Sequence, residues 1–201
     1  MIKRILITTA DERTWPKDKK EPVLFLGEWG KRHSRKHIWE NMDYEVAQYH
    51  WSNRKKLFSD YQFLDLLYEE ILIDFSEKLN QIHNTKHNLR YWRILIGPWL
   101  GTFLNILYDR WFMLKYVIGL YNLSTCYILE QSEYLYVPND IDQFNKFAIE
   151  DQFNEAIYSQ LLKFCFRHNI SLEAINPGIL QKPINTDLNI QKGKGIKFYI
   201  R

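Results

Sequence analysis

Short apolar runs separated by polar loops mark the first part of this 201-residue chain. Residues 5–9 and 23–27 are two such runs, and a polar segment at residues 11–22 lies between them. Runs of this length that are mostly apolar are typical of strands buried on both faces of a parallel sheet. Residues 45–50 and 125–129 predict two further strands. We therefore predict an α/β fold with a parallel sheet.

A helical period follows the third predicted strand. Between positions 57 and 82, apolar residues recur every three or four positions, which is the spacing of a long amphipathic helix. Ser52 or Asn53 can cap its N-terminus, because a short polar side chain there accepts a hydrogen bond from a free backbone N–H. Residues 152–167 have the same spacing. We expect this long helix and a second one that follows it to cover one sheet face.

Residues 88–114 combine three arginines, three tryptophans and a Gly-Pro pair in one apolar stretch. Arg90 and Arg93 stand three positions apart and so share a helical face. We expect this second helix to be kinked or interrupted at Gly97-Pro98, because proline lacks a backbone N–H and would leave backbone groups free for a ligand. The stretch predicts one wall of an anion-binding cleft. Alternatively, Arg90 and Arg93 pair with acids on the preceding helix, such as Asp65, Glu69 or Asp74.

Composition limits the class of partner and the compartment. A formal net charge of +3 argues against a nucleic-acid-binding protein, which would need a strongly basic face. Cys126 and Cys165 lie far apart without Cys-x-x-Cys spacing, and the N-terminus lacks a secretory apolar region, so a cytoplasmic location is predicted. The uncharged residues 94–108 would span only about 22 Å as a helix, against about 30 Å for a bilayer core. This run and a second uncharged run at residues 116–129 are too short to span a bilayer, but peripheral contact with a membrane stays an alternative.

The last part of the chain differs in composition from the rest. After residue 175, the sequence contains Asn-Pro-Gly, Lys-Pro and Lys-Gly-Lys-Gly, which are typical of turns. We predict one domain over residues 1–175, followed by a turn-rich tail over residues 176–201 that is disordered or truncated.

A basic cluster follows the second predicted strand. Residues 31–37 hold four fixed positive charges and two imidazoles. In this cluster, His33, Arg35 and Lys36 can bind a phosphate or carboxylate. The indole of Trp29, just before the cluster, can stack on a sugar or base. The alternative is a solvated basic surface, as such runs usually are. His33 and His37 have a metal-binding spacing, but no carboxylate or cysteine completes the set, so no metal site is predicted.

Polar residues stand where the predicted strands end. Thr9, Glu28, His50 and Trp51 occupy these positions, and ligands of open α/β sheets gather at the carboxyl ends of strands. His50 suits acid–base chemistry, or is a structural histidine bonded to backbone. We interpret Asp109-Arg110 as a buried ion pair or a capping device. The chain has no Ser-His-Asp order, Walker loop or dinucleotide fingerprint, so no cofactor is predicted.

Several tryptophan-rich motifs carry a resemblance to a known group of enzymes. They are Leu6-Ile-Thr-Thr-Ala, Thr14-Trp-Pro, Leu24-Phe-Leu-Gly-Glu-Trp, Ser34-Arg-Lys, Tyr49-His-Trp, Arg90-Tyr-Trp-Arg-Ile-Leu-Ile-Gly-Pro-Trp-Leu and Tyr108-Asp-Arg-Trp. Over residues 5–167 the chain resembles the N-terminal part of the transferases of bacterial surface-carbohydrate biosynthesis. The resemblance implies a glycosyltransferase-B-like architecture of two Rossmann-like domains, and sugar transfer from a nucleotide-activated donor.

Strand-end position and residue chemistry suggest roles for the candidate residues within such a transferase. Such transferases are longer, so this chain is expected to be the acceptor-side domain, or a fragment, without the donor-binding half. The residues expected to face the cleft are Glu28, Arg35, Lys36, His50, Arg90 and Arg93. The cations would neutralise the phosphate of a nucleotide sugar or the charge of an anionic saccharide. Glu28 or His50 would accept the proton of the acceptor hydroxyl, and Trp29 or Trp51 would stack on the ligand.

A different class of function competes with the enzyme. In it, exposed tryptophans and the apolar region at residues 94–129 pack on a partner chain or a membrane surface, and the chain is a non-catalytic assembly module. Ligand binding by the cleft residues would separate the two hypotheses.

Overall fold

A computed structural model describes residues 2–130 and 136–176 and contains a five-stranded parallel sheet. The sheet order is β3-β2-β1-β4-β5, and every neighbouring pair is parallel. The strands are β1 (Arg4–Ile7), β2 (Val23–Phe25), β3 (Tyr44–Val46), β4 (Leu123–Leu129) and β5 (Ser171–Ile175). Helices flank this sheet, so the predicted α/β class is confirmed and the fold is Rossmann-like.

Within the described residues, five α-helices and several single turns connect and cover the strands. The helices are α1 (Lys36–Trp39), α2 (Arg54–His83), α3 (Leu89–Leu120), α4 (Ile141–Ala148) and α5 (Asp151–Leu161), the last continuing into a π-helical turn (Leu162–Phe166). Three-residue 3-10 turns lie at Glu12–Thr14, Glu28–Gly30, His33–Arg35 and His50–Ser52. The side chain of Asn53 caps α2 by accepting from the backbone N–H groups of Lys55 and Lys56. The predicted cap is therefore confirmed.

Two local predictions need correction. The third strand is only Tyr44–Val46, and the chain then turns at His50–Ser52 instead of continuing as a strand to His50. The second long helix runs without interruption through Pro98. Proline removes one hydrogen-bond donor from the helix, but packing of α3 against its neighbours outweighs that loss over 32 residues.

The two sheet faces bury different partners. On one face, the strand residues Leu6, Leu24, Leu26, Cys126 and Ile128 pack under Met113, Leu114 and Val117 of α3 and Tyr158 of α5. On the other face, Ile5, Ile7, Val23 and Phe25 pack against Trp15 and Met42. Among the described residues, α2 adds none to the first core. Helix α2 instead packs on α3 as an antiparallel hairpin, so the expectation that both long helices cover the sheet is wrong for α2.

Within the described ranges, no helix has both the length and the apolar character needed to cross a bilayer. The predicted tail at residues 176–201 lies outside the described residues except for Asn176.

Candidate functional site

A cleft of about 830 Å³ lies beyond the carboxyl ends of β1, β2 and β3. The segments that line it come from the loops after these strands, from the middle of α3 and from the start of α5. The lining residues with polar or aromatic side chains are Thr9, Glu28, Trp29, Gln48, Tyr49, Ser52, Asp109, Arg110, Asp151, Asn154 and Tyr158. This is the position at which open α/β sheets bind ligands.

Trp29 forms an aromatic wall of this cleft. Its indole N–H donates to the carbonyl oxygen of Thr8 at 2.9 Å, and 39% of the residue remains exposed. Gly27 makes room for the ring, because a Cβ atom there would lie 2.2–2.4 Å from the indole carbons. Tyr49 meets the indole edge-on, with ring centroids 6.1 Å apart. The indole of Trp29 is therefore held in place just after β2, and its exposed part can contact a ligand.

A buried carboxylate, that of Asp109, organises the opposite part of the lining. Its Oδ1 accepts hydrogen bonds from the hydroxyl of Tyr49 at 2.8 Å and from Nε2 of His50 at 2.9 Å. Its Oδ2 pairs with the guanidinium of Arg110. The predicted Asp109-Arg110 ion pair is thus confirmed, and it lies in the cleft wall.

The charge state of this network follows from its contacts. Burial raises the pKa of Asp109, but the hydrogen bond from His50, the charge of Arg110 and the hydrogen bond from Tyr49 together outweigh it and lower that pKa. Burial and the charge of Asp109 raise the pKa of Tyr49. Asp109 is therefore an anion and Tyr49 a neutral hydrogen-bond donor at neutral pH.

Arg110 supplies a positive charge to the cleft. Its Nε and one terminal nitrogen donate to the side-chain oxygen of Asn154 at 3.1 and 3.0 Å, and the other terminal nitrogen pairs with Asp109. These contacts use three of the five N–H groups of a guanidinium. Two N–H groups are left to meet an anionic oxygen, on a side chain that two neighbours hold in place.

His50 lies behind the cleft and not in it. Its side chain is fully buried, and Phe112 stacks on the imidazole at 4.9 Å between centroids. Nε2 is hydrogen-bonded to the Asp109 carboxylate, whereas Nδ1 has no hydrogen-bond partner among the described residues. His50 therefore positions Asp109, and a direct base role would require the site to open.

Two acidic residues of α5 lie near the carboxyl end of β1. Asp151 lines the cleft and pairs with Arg32, and burial raises its pKa despite that charge. Glu155 lies deeper and accepts from the hydroxyls of Thr8, Thr9 and Ser159 and from the backbone N–H of Leu129. Burial raises the pKa of Glu155 to about 7. Thr9 thus connects the cleft lining to a buried acid.

The predicted strand-end residues divide between cleft and scaffold. Thr9, Glu28 and Trp29 line the cleft together, and Glu28 is exposed and paired with Lys31 at 3.1 Å. Trp51 does not line it, because its indole N–H donates to Asp60 at 2.9 Å and its ring stacks on Tyr108.

The basic cluster at residues 31–37 lies outside the cleft. Arg35 forms two hydrogen bonds with Glu12, at 2.7 and 2.6 Å, on a neighbouring surface. Lys36 faces Glu40 at 3.8 Å, and His33 is exposed in a 3-10 turn. Each of the two cations has an acidic neighbour, so the structure does not direct them toward the cleft.

Arg90 and Arg93 lie on the helical hairpin and not beside Glu28. Arg93 forms two hydrogen bonds with Glu69 of α2, at 2.5 and 2.6 Å, and borders a separate depression next to Gly97 and Pro98. Arg90 is exposed in the first turn of α3. The expectation that they form a cleft wall with Glu28 and His50 is therefore corrected, and the alternative pairing of Arg93 with Glu69 is confirmed.

Sequence reasoning missed most polar residues of this site. Among them are Tyr49, Asp109, Arg110, Asp151 and Asn154. An available signal was the Asp-Arg pair within an apolar helix, because buried charges must find partners and a parallel-sheet edge is where polar partners collect. No signal could have shown that Asn154, 44 positions later, would meet Arg110.

Within the described residues, no group of three or more histidine, cysteine, aspartate or glutamate side chains is arranged to hold a metal ion.

Comparison with known proteins gives one match. Neither curated proteins nor solved structures give a significant match. The family model described as LIC12162 family transferase matches residues 4–197, a range that contains the whole sheet and every residue of the cleft. The parallel sheet, the cleft at its carboxyl edge and this match over nearly the full chain lead to one conclusion: the chain belongs to the LIC12162 family of transferases.

Proposed function

We propose that this chain is a domain of a glycosyltransferase of bacterial surface-carbohydrate biosynthesis, and that its cleft binds the anionic part of a nucleotide-activated sugar or an anionic saccharide. The transferase family supports the reaction class, and the tryptophan-rich motifs support the choice of carbohydrate. One observation carries the proposal. In the cleft, Arg110 provides a guanidinium that is held in place and has two unused N–H groups, and Trp29 provides an aromatic wall.

Arg110 suits a phosphate better than a mobile surface lysine would. Asn154 and Asp109 hold its guanidinium plane, so little conformational entropy is lost when an anionic oxygen binds. Asp109 cancels part of its charge, but Tyr49 and His50 also hydrogen-bond to that carboxylate and share its negative charge. A guanidinium fixed in this way stabilises the negative charge that develops on a departing phosphate.

Trp29 supports the carbohydrate or base side of the proposal. Its indole is anchored through nitrogen to the Thr8 carbonyl, so the ring is held at the strand end and does not need to be ordered by the ligand. An indole face packs well against the C–H groups of a sugar or the plane of a base.

The transfer step needs an acceptor for the hydroxyl proton. In that step the acceptor oxygen forms a bond to the sugar carbon, the bond from that carbon to the phosphate oxygen breaks, and the nucleotide leaves with the electron pair. Asp151 and Glu28 are the carboxylates of the lining that can take the hydroxyl proton. Asp151 is the better base of the two, because burial raises its pKa toward the pH at which the transfer takes place.

Isothermal titration with nucleotide-diphosphate sugars tests the proposal. We expect Arg110→Lys to weaken binding about ten-fold to one-hundred-fold, because a lysine keeps the charge but loses the fixed fork, and hydrogen bonds to charged groups contribute about 1.5–3 kcal/mol. The matched control is the double variant Arg90→Ala, Arg93→Ala, which removes two arginines on the hairpin and should leave affinity unchanged.

The outcomes separate the two classes of function. Equal loss in the control and in Arg110→Lys would place the anion elsewhere and refute the cleft assignment. If neither wild type nor control binds any nucleotide sugar or anionic saccharide while circular dichroism shows a folded chain, the assembly-module function is favoured. The exposed apolar residues of the α2–α3 hairpin, such as Phe58 and Leu66, are the observation that supports this second candidate.

A further inference from the structure

The end of the α2–α3 hairpin projects away from the sheet. Helix α3 packs on α4 and α5 through Trp99 and Phe103, and on the sheet core from Trp111 onward. Its first residue, Leu89, therefore lies about 15 Å beyond Trp99 along the helix, at 1.5 Å per residue. We call residues 78–95 the hairpin tip. In this segment α3 packs mainly against α2.

The hairpin tip exposes aliphatic side chains. Ile82 is 74% exposed in the last turn of α2, and Ile94 and Leu95 are 70% and 60% exposed near the start of α3. Tyr91 is also exposed and stacks on His87, with ring centroids 3.9 Å apart. Exposed apolar residues that cluster in this way mark an interaction surface.

The charge of the hairpin changes along its length. Residues 60–77 contain six acidic side chains, whereas residues 78–108 contain none. Lys78, Lys86 and Arg90 are exposed in the tip and form no ion pair with any residue that the structure describes. The tip therefore carries three positive charges that no described residue neutralises, beside its exposed apolar side chains.

The turn that joins the two helices is ordered by its own side chains. The Oδ1 atom of Asn80 accepts hydrogen bonds from the Thr85 hydroxyl, from the His87 backbone N–H and from the Trp92 indole, and its Nδ2 donates to the His87 carbonyl. Asn84 takes the left-handed conformation that ends α2, with φ of 51°. The tip thus presents its apolar and basic groups from a fixed turn.

We propose that the hairpin tip is a docking surface for an anionic lipid bilayer. Ile82, Ile94 and Leu95 would enter the boundary between headgroups and acyl chains, while Lys78, Lys86 and Arg90 meet lipid phosphates. Two copies meeting tip to tip would bring like charges together.

Vesicle flotation with the full chain tests this inference. We expect binding to phosphatidylcholine vesicles that contain 30 mol% phosphatidylglycerol, much weaker binding to pure phosphatidylcholine, and release as salt screens the attraction. Lys86→Ala with Arg90→Ala should weaken binding about 25-fold, since each cation near an anionic surface contributes about five-fold. Ile94→Ser with Leu95→Ser should weaken it about ten-fold or more.

The control replaces two equally exposed apolar residues of α2 outside the tip. Phe58→Ser with Leu66→Ser should leave vesicle binding unchanged, and circular dichroism of each variant checks that the helices persist. Equal binding to neutral and anionic vesicles, no binding to either, or equal loss in this control would overturn the inference. So would a stable dimer in sedimentation velocity that the Ile94→Ser, Leu95→Ser variant dissociates without any vesicle binding by wild type. None of these results depends on whether the cleft binds a nucleotide sugar.

Discussion

Glu155 should make the stability of this domain depend on pH. Its carboxylate is fully buried and holds together the ends of β1 and β4 and the middle of α5 through Thr8, Leu129 and Ser159. Burial raises its pKa to about 7 from an ordinary value of 4.5. The folded state therefore binds more protons than the unfolded state between these two values, and stability must fall as pH rises through this window.

The size of the effect follows from the pKa. Each pKa unit corresponds to about 1.4 kcal/mol, so the ionised form lowers the free energy of unfolding by about 3 kcal/mol above pH 7, and by almost nothing below pH 4.5. Glu155→Gln removes the titration and keeps the shape. Its amide oxygen can accept from Leu129 and Ser159, and its NH₂ group can donate to the hydroxyls of Thr8 and Thr9.

Urea unfolding of wild type and Glu155→Gln at pH 5, 6, 7 and 8 measures this difference. We expect similar stability at pH 5 and a variant more stable than wild type by about 3 kcal/mol at pH 8. Glu77→Gln, which changes an exposed carboxylate on α2, should show no such trend. A difference between Glu155→Gln and wild type that stays constant across this range, or that favours wild type at pH 8, would show that Glu155 is ionised without penalty.

Three further predictions concern the cleft and the long helix. Gly27→Ala should push the Trp29 indole from its hydrogen bond with Thr8 and weaken nucleotide-sugar binding several-fold in titration calorimetry, while retained affinity would show that the indole does not contact the ligand. Pro98→Ala should raise the free energy of unfolding by about 1–3 kcal/mol in urea, because it restores a hydrogen-bond donor inside α3, and a destabilised variant would contradict this. Asp151→Asn should slow sugar transfer with little change in donor affinity, whereas an unchanged rate would remove Asp151 as the base.

Local patterns were enough to predict much of the fold. The runs at residues 5–9 and 23–27 became β1 and β2 because strands buried on both faces are apolar throughout, and the helical period predicted α2. The same period could not show where α2 packs. Its moderate apolar face lies on α3, a choice that depends on the path of α3 across the sheet. Tertiary packing also carries α3 through Pro98, which sequence alone favours as a break.

The candidate site was predictable only in part. Thr9, Glu28 and Trp29 follow parallel strands, so the sheet rule was enough to bring them to one edge. Arg93 was uncertain because its sequence neighbours suit both a ligand and an ion pair, and only the register of α2 against α3 places Glu69 beside it. The pairing of Arg110 with Asn154 depends on how α5 crosses α3, which no local pattern encodes.

The structure of this chain with a nucleotide-diphosphate sugar bound tests the role of the cleft most directly. We expect phosphate oxygens about 2.7–2.9 Å from the terminal nitrogens of Arg110, with the sugar or base against Trp29. Phosphates bound instead beside Arg93 in the depression of the hairpin, or on the surface near Arg35, would contradict this role.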